Sequence, residues 1–271
     1  VASGTTWTSV ACGRAHTIAV RSNGTLWAWG WNANAQLGED SSSPVQVGST
    51  ATWVALSCGE YHSIARRSDG TLWAWGNNGY GQLGLGDDIN RLSPVQVANG
   101  TTWNSMACGT SHTLAVRSDG TLQAWGLNAD GQLGERSVSP LQVGSATNWA
   151  SPACGEYHTA AVRSDGTLWV WGNNFNGQLG LSDNTRRTSP VQVGSMEDWA
   201  SVACGESHTV AVRSDGTLWT WGNNSYGQLG LGNTATQSSP MQVGSATDWT
   251  SVACGKYHTV AVRSDGTLWD W

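Results

Sequence analysis

The sequence is poor in charge and almost free of lysine. Only 12% of its residues are charged, and lysine occurs once, at Lys256. The 19 acidic residues outnumber the 13 basic ones, for a net charge of −6. Nucleic-acid surfaces are built from clustered Lys and Arg, so this balance excludes a nucleic-acid partner. No run of about 18 apolar residues occurs, which excludes a helical membrane span. The opening residues Val1-Ala2-Ser3-Gly4 are not a basic-then-apolar leader. Phenylalanine is found once, and no stretch carries the helical apolar period. An all-α or α/β fold is therefore excluded. What abounds is glycine, with 35 residues, and tryptophan, with 18.

These residues recur at a fixed period, and a period of this length marks a repeat architecture. Cysteine stands at 12, 58, 108, 154, 204 and 254, with spacings of 46, 50, 46, 50 and 50. A histidine follows each by four positions: His16, His62, His112, His158, His208 and His258. A tryptophan precedes each by five, from Trp7 to Trp249. The repeat absorbs all six Cys, all six His and every Trp except Trp31.

One unit, starting at Trp199, parses into short strands. Ser201–Cys204 reads as a small apolar strand ending at Gly205. Residues 209–213 alternate and lead into Asp215-Gly216, a two-residue hairpin signal. The return strand 217–221 places Trp219 and Trp221 on one face and Leu218 on the other. A Gly/Asn loop follows. The fourth strand is expected over Pro240–Val243, with Pro at its start as suits an edge. Four short strands per unit of about 50 residues predict a propeller blade.

The run Cys-Gly-x-x-His-Thr, then Ala-Val-Arg-Ser-Asp-Gly-Thr-Leu-Trp-x-Trp-Gly-Asn-Asn-x-x-Gly-Gln-Leu-Gly, resembles the repeat of the regulator-of-chromosome-condensation family. The resemblance spans residues 1–271 in six copies and implies one all-β domain of the bacterial tandem-repeat type. The expected fold is a β-propeller of six blades, each a four-stranded antiparallel sheet. The Gln-Leu-Gly loop, including the variant Ala35-Gln36-Leu37-Gly38, and the Pro-bearing outer strand each occur five times. Val1 aligns with the end of an outer strand and Trp271 with Trp221. The last blade is therefore expected to lack its outer strand. Thr267, Leu268, Trp269 and Trp271 would then form an unpaired assembly edge.

Catalytic and metal readings find little support. Cys12 and His16 are about 13 Å apart in extended chain, too far to share a metal. The thiols are expected to be small, buried and unpaired, which fits a reducing compartment and also persists in secreted proteins. The same His in every unit gives no asymmetric site, so each is expected to be buried and bonded to neighbouring backbone. No nucleophile elbow, phosphate loop or metal cluster is present. No catalytic residue, metal or cofactor is assigned. A light-sensing branch of the family carries Trp at the second position of Gly-x-x-His-Thr. Here Arg14, Glu60, Thr110, Glu156, Glu206 and Lys256 stand there, so light sensing is not implied. The family's founding activity, nucleotide exchange on a small GTPase, lies in loops and insertions that this chain lacks.

Specificity belongs to what varies between copies. The pair before each His varies, and supplies Arg14, Glu60, Tyr61, Glu156, Tyr157, Glu206, Lys256 and Tyr257 as candidate partner-binding residues. The loop before the outer strand is five residues long after Gly38 and Gly134 and nine after Gly84, Gly180 and Gly230. It adds Asp87, Arg91, Arg186 and Arg187, alongside Asp88 and Asp183. Tyr flanked by charge on a rigid scaffold resembles a protein-binding surface, and a family propeller of similar size binds a protein across one face. The leading expectation is a non-enzymatic scaffold for a protein partner. Self-assembly through the last blade is the second. A glycan-binding module using Trp31, Tyr80, Tyr226 and the Asn-Asn loops is the third.

Overall fold

The computed structural model describes residues 6–32, 41–133 and 136–271. They form an all-β, six-bladed propeller fold, with no helix among the described residues. No helix is long and apolar enough to cross a membrane. Five blades are four-stranded antiparallel sheets in chain order, with strands within residues 7–46, 53–97, 103–142, 149–192 and 199–242. The sixth has three strands, Trp249–Cys254, Thr259–Arg263 and Leu268–Asp270. The Ala35–Gly38 variant, Gly134 and Val1 lie outside the described residues.

Blade 5 shows how the sequence becomes a sheet. Its strands are Trp199–Cys204, His208–Arg213, Leu218–Gly222 and Gln237–Gln242. The first begins two residues before the expected Ser201, because Trp199 still pairs with Arg213. The register shifts between Trp199 and Ser201, leaving Ala200 as the extra residue of a bulge. The fourth strand begins three residues before Pro240, since Gly222 pairs with Gln237 across a second irregularity. Pro240 thus sits inside an edge strand, where its missing N–H costs no ladder bond.

The chain divides into two compact units. One comprises Val1–Leu127 and Arg136–Ser145, the other Asn128–Glu135 and Ala146–Trp271. In the first unit Ile64, Leu72 and Ala74 of blade 2 meet Trp103, Ala115 and Trp125 of blade 3. In the second, Val162, Leu168 and Val170 of blade 4 meet Trp199, Val202 and Trp221 of blade 5. The core therefore lies between successive blades, and both faces of the middle strands are covered. Trp125 and Trp221 are fully buried. Each indole removes about 150–250 Å² from water, which explains why tryptophan rather than phenylalanine fills this sequence. The first strands of successive blades lie beside one another within each unit, and the fourth strands face outward.

Candidate functional site

A hydrogen-bond network repeated at His16, His62, His158 and His208 fixes the loops at one end of those blades. In the second unit the His158 imidazole meets the Thr209 hydroxyl of the next blade at 3.0 Å. Thr209 donates to the Gln178 carbonyl at 2.8 Å, and Trp221 Nε1 donates to the same oxygen at 2.9 Å. A carbonyl only accepts, so the single Thr209 proton goes to Gln178. Nε2 of His158 must then carry the proton that reaches Thr209. His208 repeats the contact with Thr259 at 3.1 Å, and Thr259 and Trp271 share the Gln228 carbonyl. In the first unit His62 meets Thr113 at 3.1 Å and His16 meets Ser63 at 3.0 Å. The expected backbone partner is thus replaced by a hydroxyl of the following blade. Burial lowers the His16 and His208 pKa values to about 4 and those of His62 and His112 to about 3. These rings are neutral and structural. His258, in contrast, is exposed, and no further blade follows it among the described residues.

The network also explains the glycine after each cysteine. A Cβ on Gly205 would lie 2.0 Å from Cε1 of His208 and 2.7 Å from the Gly255 carbonyl oxygen. Only glycine lets the loop close over the ring. The cysteines are free. Cys12 is exposed, against the expectation of a buried thiol, and the other five residues are half-buried. Burial pushes Cys108 and Cys204 up to about 12 and raises Cys58 and Cys254 as well. Such thiols stay protonated and make poor nucleophiles or ligands. No group of three or more His, Cys, Asp or Glu among the described residues could hold a metal.

The other end of each blade is a closed polar turn. Asp215 Oδ1 accepts from the Thr217 backbone N–H at 3.0 Å and from its hydroxyl at 2.6 Å. Trp219 Nε1 then donates to Thr217 at 2.9 Å. These bonds hold the Asp215 carboxyl below its usual range. Arginines lie over the tryptophans here, as Arg163 does 4.4 Å from Trp149 and 3.9 Å from Trp169. This end presents no exposed aromatic ring apart from Trp269 in blade 6.

Exposed aromatic residues gather instead at the His-loop end. Trp31, Tyr80, Phe175, Tyr226 and Tyr257 are between 43% and 71% exposed. Arg14 donates to the Glu60 carboxylate and, at 3.0 Å, to the Tyr61 hydroxyl, and Trp31 lies 5.4 Å from the Tyr61 ring. Lys256 pairs with Glu206 at 2.7 Å and lies 5.0 Å from the Tyr257 ring, which lies 5.0 Å from Tyr226. Backbone bonds tie the pre-His loops together within each unit. Arg14 donates to the Glu60 carbonyl and Glu60 to that of Thr110. Glu156 likewise donates to Glu206 and Glu206 to Lys256. The half-buried Glu156 and Tyr157 open this second row.

The remaining candidates divide. Arg91 pairs with Asp87 at 2.5 Å and Arg187 with Asp183 at 2.6 Å, each within its own loop. Their charges staple the nine-residue loops. Arg186 reaches the Ala129 carbonyl at 3.5 Å. Along the terminal strand Leu268, Trp269 and Asp270 are all exposed, the first two at 67% and 47%, and so is Thr267 before it. Thr267 is engaged with Asp265, and Trp271 packs on Trp249. The Asn-Asn loops use their own amides. Asn224 bonds the backbone of Leu229, Asn233 and Ala235, and Asn223 Oδ1 accepts from Ser225 and Gln228. Few of these amide groups are left for sugar hydroxyls. Sequence reasoning missed Phe175, although it is the chain's one phenylalanine and lies one position before the slot of Tyr80 and Tyr226.

The family model of the RCC1-like domain matches residues 1–271. Comparison with curated proteins finds no significant match. Among solved structures the chain is similar to human WBSCR16, at 26% identity and a TM-score of 0.86, over 95% of this chain and 72% of that one. It is also similar to Prp20p from Saccharomyces cerevisiae, at 25% identity and a TM-score of 0.87, over 98% and 71%. That structure was described together with the binding of Prp20p to Gsp1p and histones. The receptor kinase CR4 ectodomain of Physcomitrella patens, at 15% identity and a TM-score of 0.66, shares the fold alone. A model match over all 271 residues, on blades whose repeated His, Thr, Gln and Trp hold one another, makes this chain a member of the RCC1-like domain family.

Proposed function

We propose that the chain is a non-enzymatic scaffold that binds a protein partner through the His-loop face of its blades. The observation that carries this reading is the concentration of exposed aromatic rings beside charge at the His-loop ends of the blades in each unit. Aromatic anchors flanked by charged residues are the composition of protein interfaces. The relatives agree, since Prp20p is described as binding Gsp1p and histones. An enzyme has little to use here. The repeated histidines at 16, 62, 112 and 208 are neutral and buried, and the raised thiols are protonated.

The test is quantitative capture on the immobilised chain. A protein partner is retained by the natural sequence, lost with Tyr61→Ala or Tyr257→Ala, and kept with Leu92→Ser on an outer strand. Retention unchanged in both tyrosine variants sinks the reading. A second reading, self-association through the terminal strand, draws on the exposure of Leu268 and Trp269. It predicts a concentration-dependent mass by light scattering that Leu268→Lys abolishes. A constant monomer mass removes it.

A further inference from the structure

We propose that the cleft formed by Tyr226, Tyr257 and Glu206 takes a cationic side chain, arginine above all, from the bound protein. This deepens the protein-binding reading and rests on it. The cleft lies between blades 5 and 6 and has a volume of about 260 Å³. Asn176, Ser207 and Asn223 complete its polar wall. Its two rings pack on each other, tilted by 42° with centroids 5.0 Å apart, and together form the aromatic part of the wall. The negative face of an aromatic ring attracts a cation, and a carboxylate at the same place adds a charged acceptor.

The chain itself shows which chemistry the cleft accepts. Its single lysine, Lys256, already makes both contacts: Nζ is 2.7 Å from Glu206 Oε2 and 5.0 Å from the Tyr257 ring centroid. The Lys256 side chain is nonetheless 62% exposed, against 22% for Glu206. An exposed ammonium of this kind contributes little to stability, and a planar guanidinium matches a carboxylate better. Blades 1 and 2 hold an arginine counterpart in which the blade order is reversed, the basic residue standing on the earlier blade and the tyrosine next to the glutamate. There Arg14 pairs with the Glu60 carboxylate, donates to the Tyr61 hydroxyl, and lies 6.0 Å from the Tyr61 ring centroid. The partner's arginine takes in the cleft the place that Arg14 takes beside Tyr61, and Lys256 is the resident competitor.

The experiment measures binding of a dye-labelled Gly-Arg-Gly-Arg-Gly peptide to the full chain by fluorescence anisotropy. Gly-Glu-Gly-Glu-Gly serves as the charge-reversed probe. Glu206→Gln and Tyr257→Ala are each expected to weaken binding about three- to fivefold. Lys256→Met is expected to tighten it about threefold, because it frees the Glu206 carboxylate. The acidic probe does not bind. Near-ultraviolet circular dichroism confirms that each variant is folded. No binding of the arginine peptide at about 10 mM overturns the proposal. So does an affinity indifferent to Glu206→Gln. Weaker binding by Lys256→Met overturns it as well, since Lys256 would then itself be the contact. If the peptide fails while Tyr257→Ala still abolishes protein capture, the cleft proposal falls and the protein-binding reading stands. If both fail, the face is not an interface.

Discussion

Single residues in this fold work across the gap between neighbouring blades. Thr209 accepts from His158 and donates to the Gln178 carbonyl, and both partners are buried. Thr209→Val takes the hydroxyl from His158 Nε2, while the Gln178 carbonyl keeps its bond from Trp221, and is expected to cost about 2 kcal/mol. Thr209→Ser keeps the hydroxyl, as Ser63 does in blade 2, and is expected to cost less. Thermal midpoints of the two variants check this, and an unchanged midpoint for the valine variant contradicts the network. Gly205→Ala forces a methyl group against the His208 ring. It is expected to destabilise more than Gly232→Ala, where no atom lies within 4 Å and only the left-handed φ of +72° opposes the methyl group.

The strand pairs of each blade are closed by one turn, and its quality differs between blades. In blades 4 and 5 the turn Thr holds a Trp Nε1 at 2.9 Å. In blade 3 Gln123 stands there and reaches Thr121 at 3.3 Å. Arg117 then has one ring near it, Trp103 at 5.6 Å, whereas Arg163 lies between two. Gln123→Trp is therefore expected to complete the stack and stabilise the protein by about 1 kcal/mol, read as a higher thermal midpoint. A lower midpoint means that the stack contributes less than the side chain disturbs. Asp215→Ala opens its turn and lowers the midpoint, by loss of the two bonds to Thr217.

For the whole molecule the row of buried histidines sets the response to acid. Their folded pKa values are lowered to about 3 or 4 at His16, His62, His112 and His208. Unfolded histidine takes a proton near about pH 6.5. Unfolding in acid therefore takes up protons that the folded state refuses. Stability is level above the unfolded value and falls as pH drops from there toward about 4. The turn carboxylates, held low at Asp69, Asp119, Asp165, Asp215 and Asp265, add to the loss below their unfolded value. Thermal midpoints followed from about pH 8 to about pH 4 should hold at first and then descend. A flat profile down to about pH 5 means that the histidines are not buried neutral.

The repeat by itself determined the blade, because its signals are local. Asp-Gly-Thr fixes a turn within four residues, and alternation over five or six residues fixes a strand. Cys-Gly-x-x-His is legible as a loop, and the six copies announce the propeller. The strands begin two or three residues before the expected positions, since the irregularities at Ala200 and between Gln237 and Met241 depend on the partner strand rather than on the residues themselves. Tertiary structure decided the partners and the site. The histidine acceptor is a hydroxyl about one repeat away. Glu206 and Lys256 lie 50 positions apart, and Tyr226 and Tyr257 lie 31 apart. Such pairs meet because blades stack with one offset, and that offset arises from packing the large tryptophans between sheets. Asp87 with Arg91 and Asp183 with Arg187 instead pair locally, four residues apart within their own loops, while Phe175 stays exposed. Composition states which charges and rings a chain owns, and only the stacking of its blades states which of them remain for a partner.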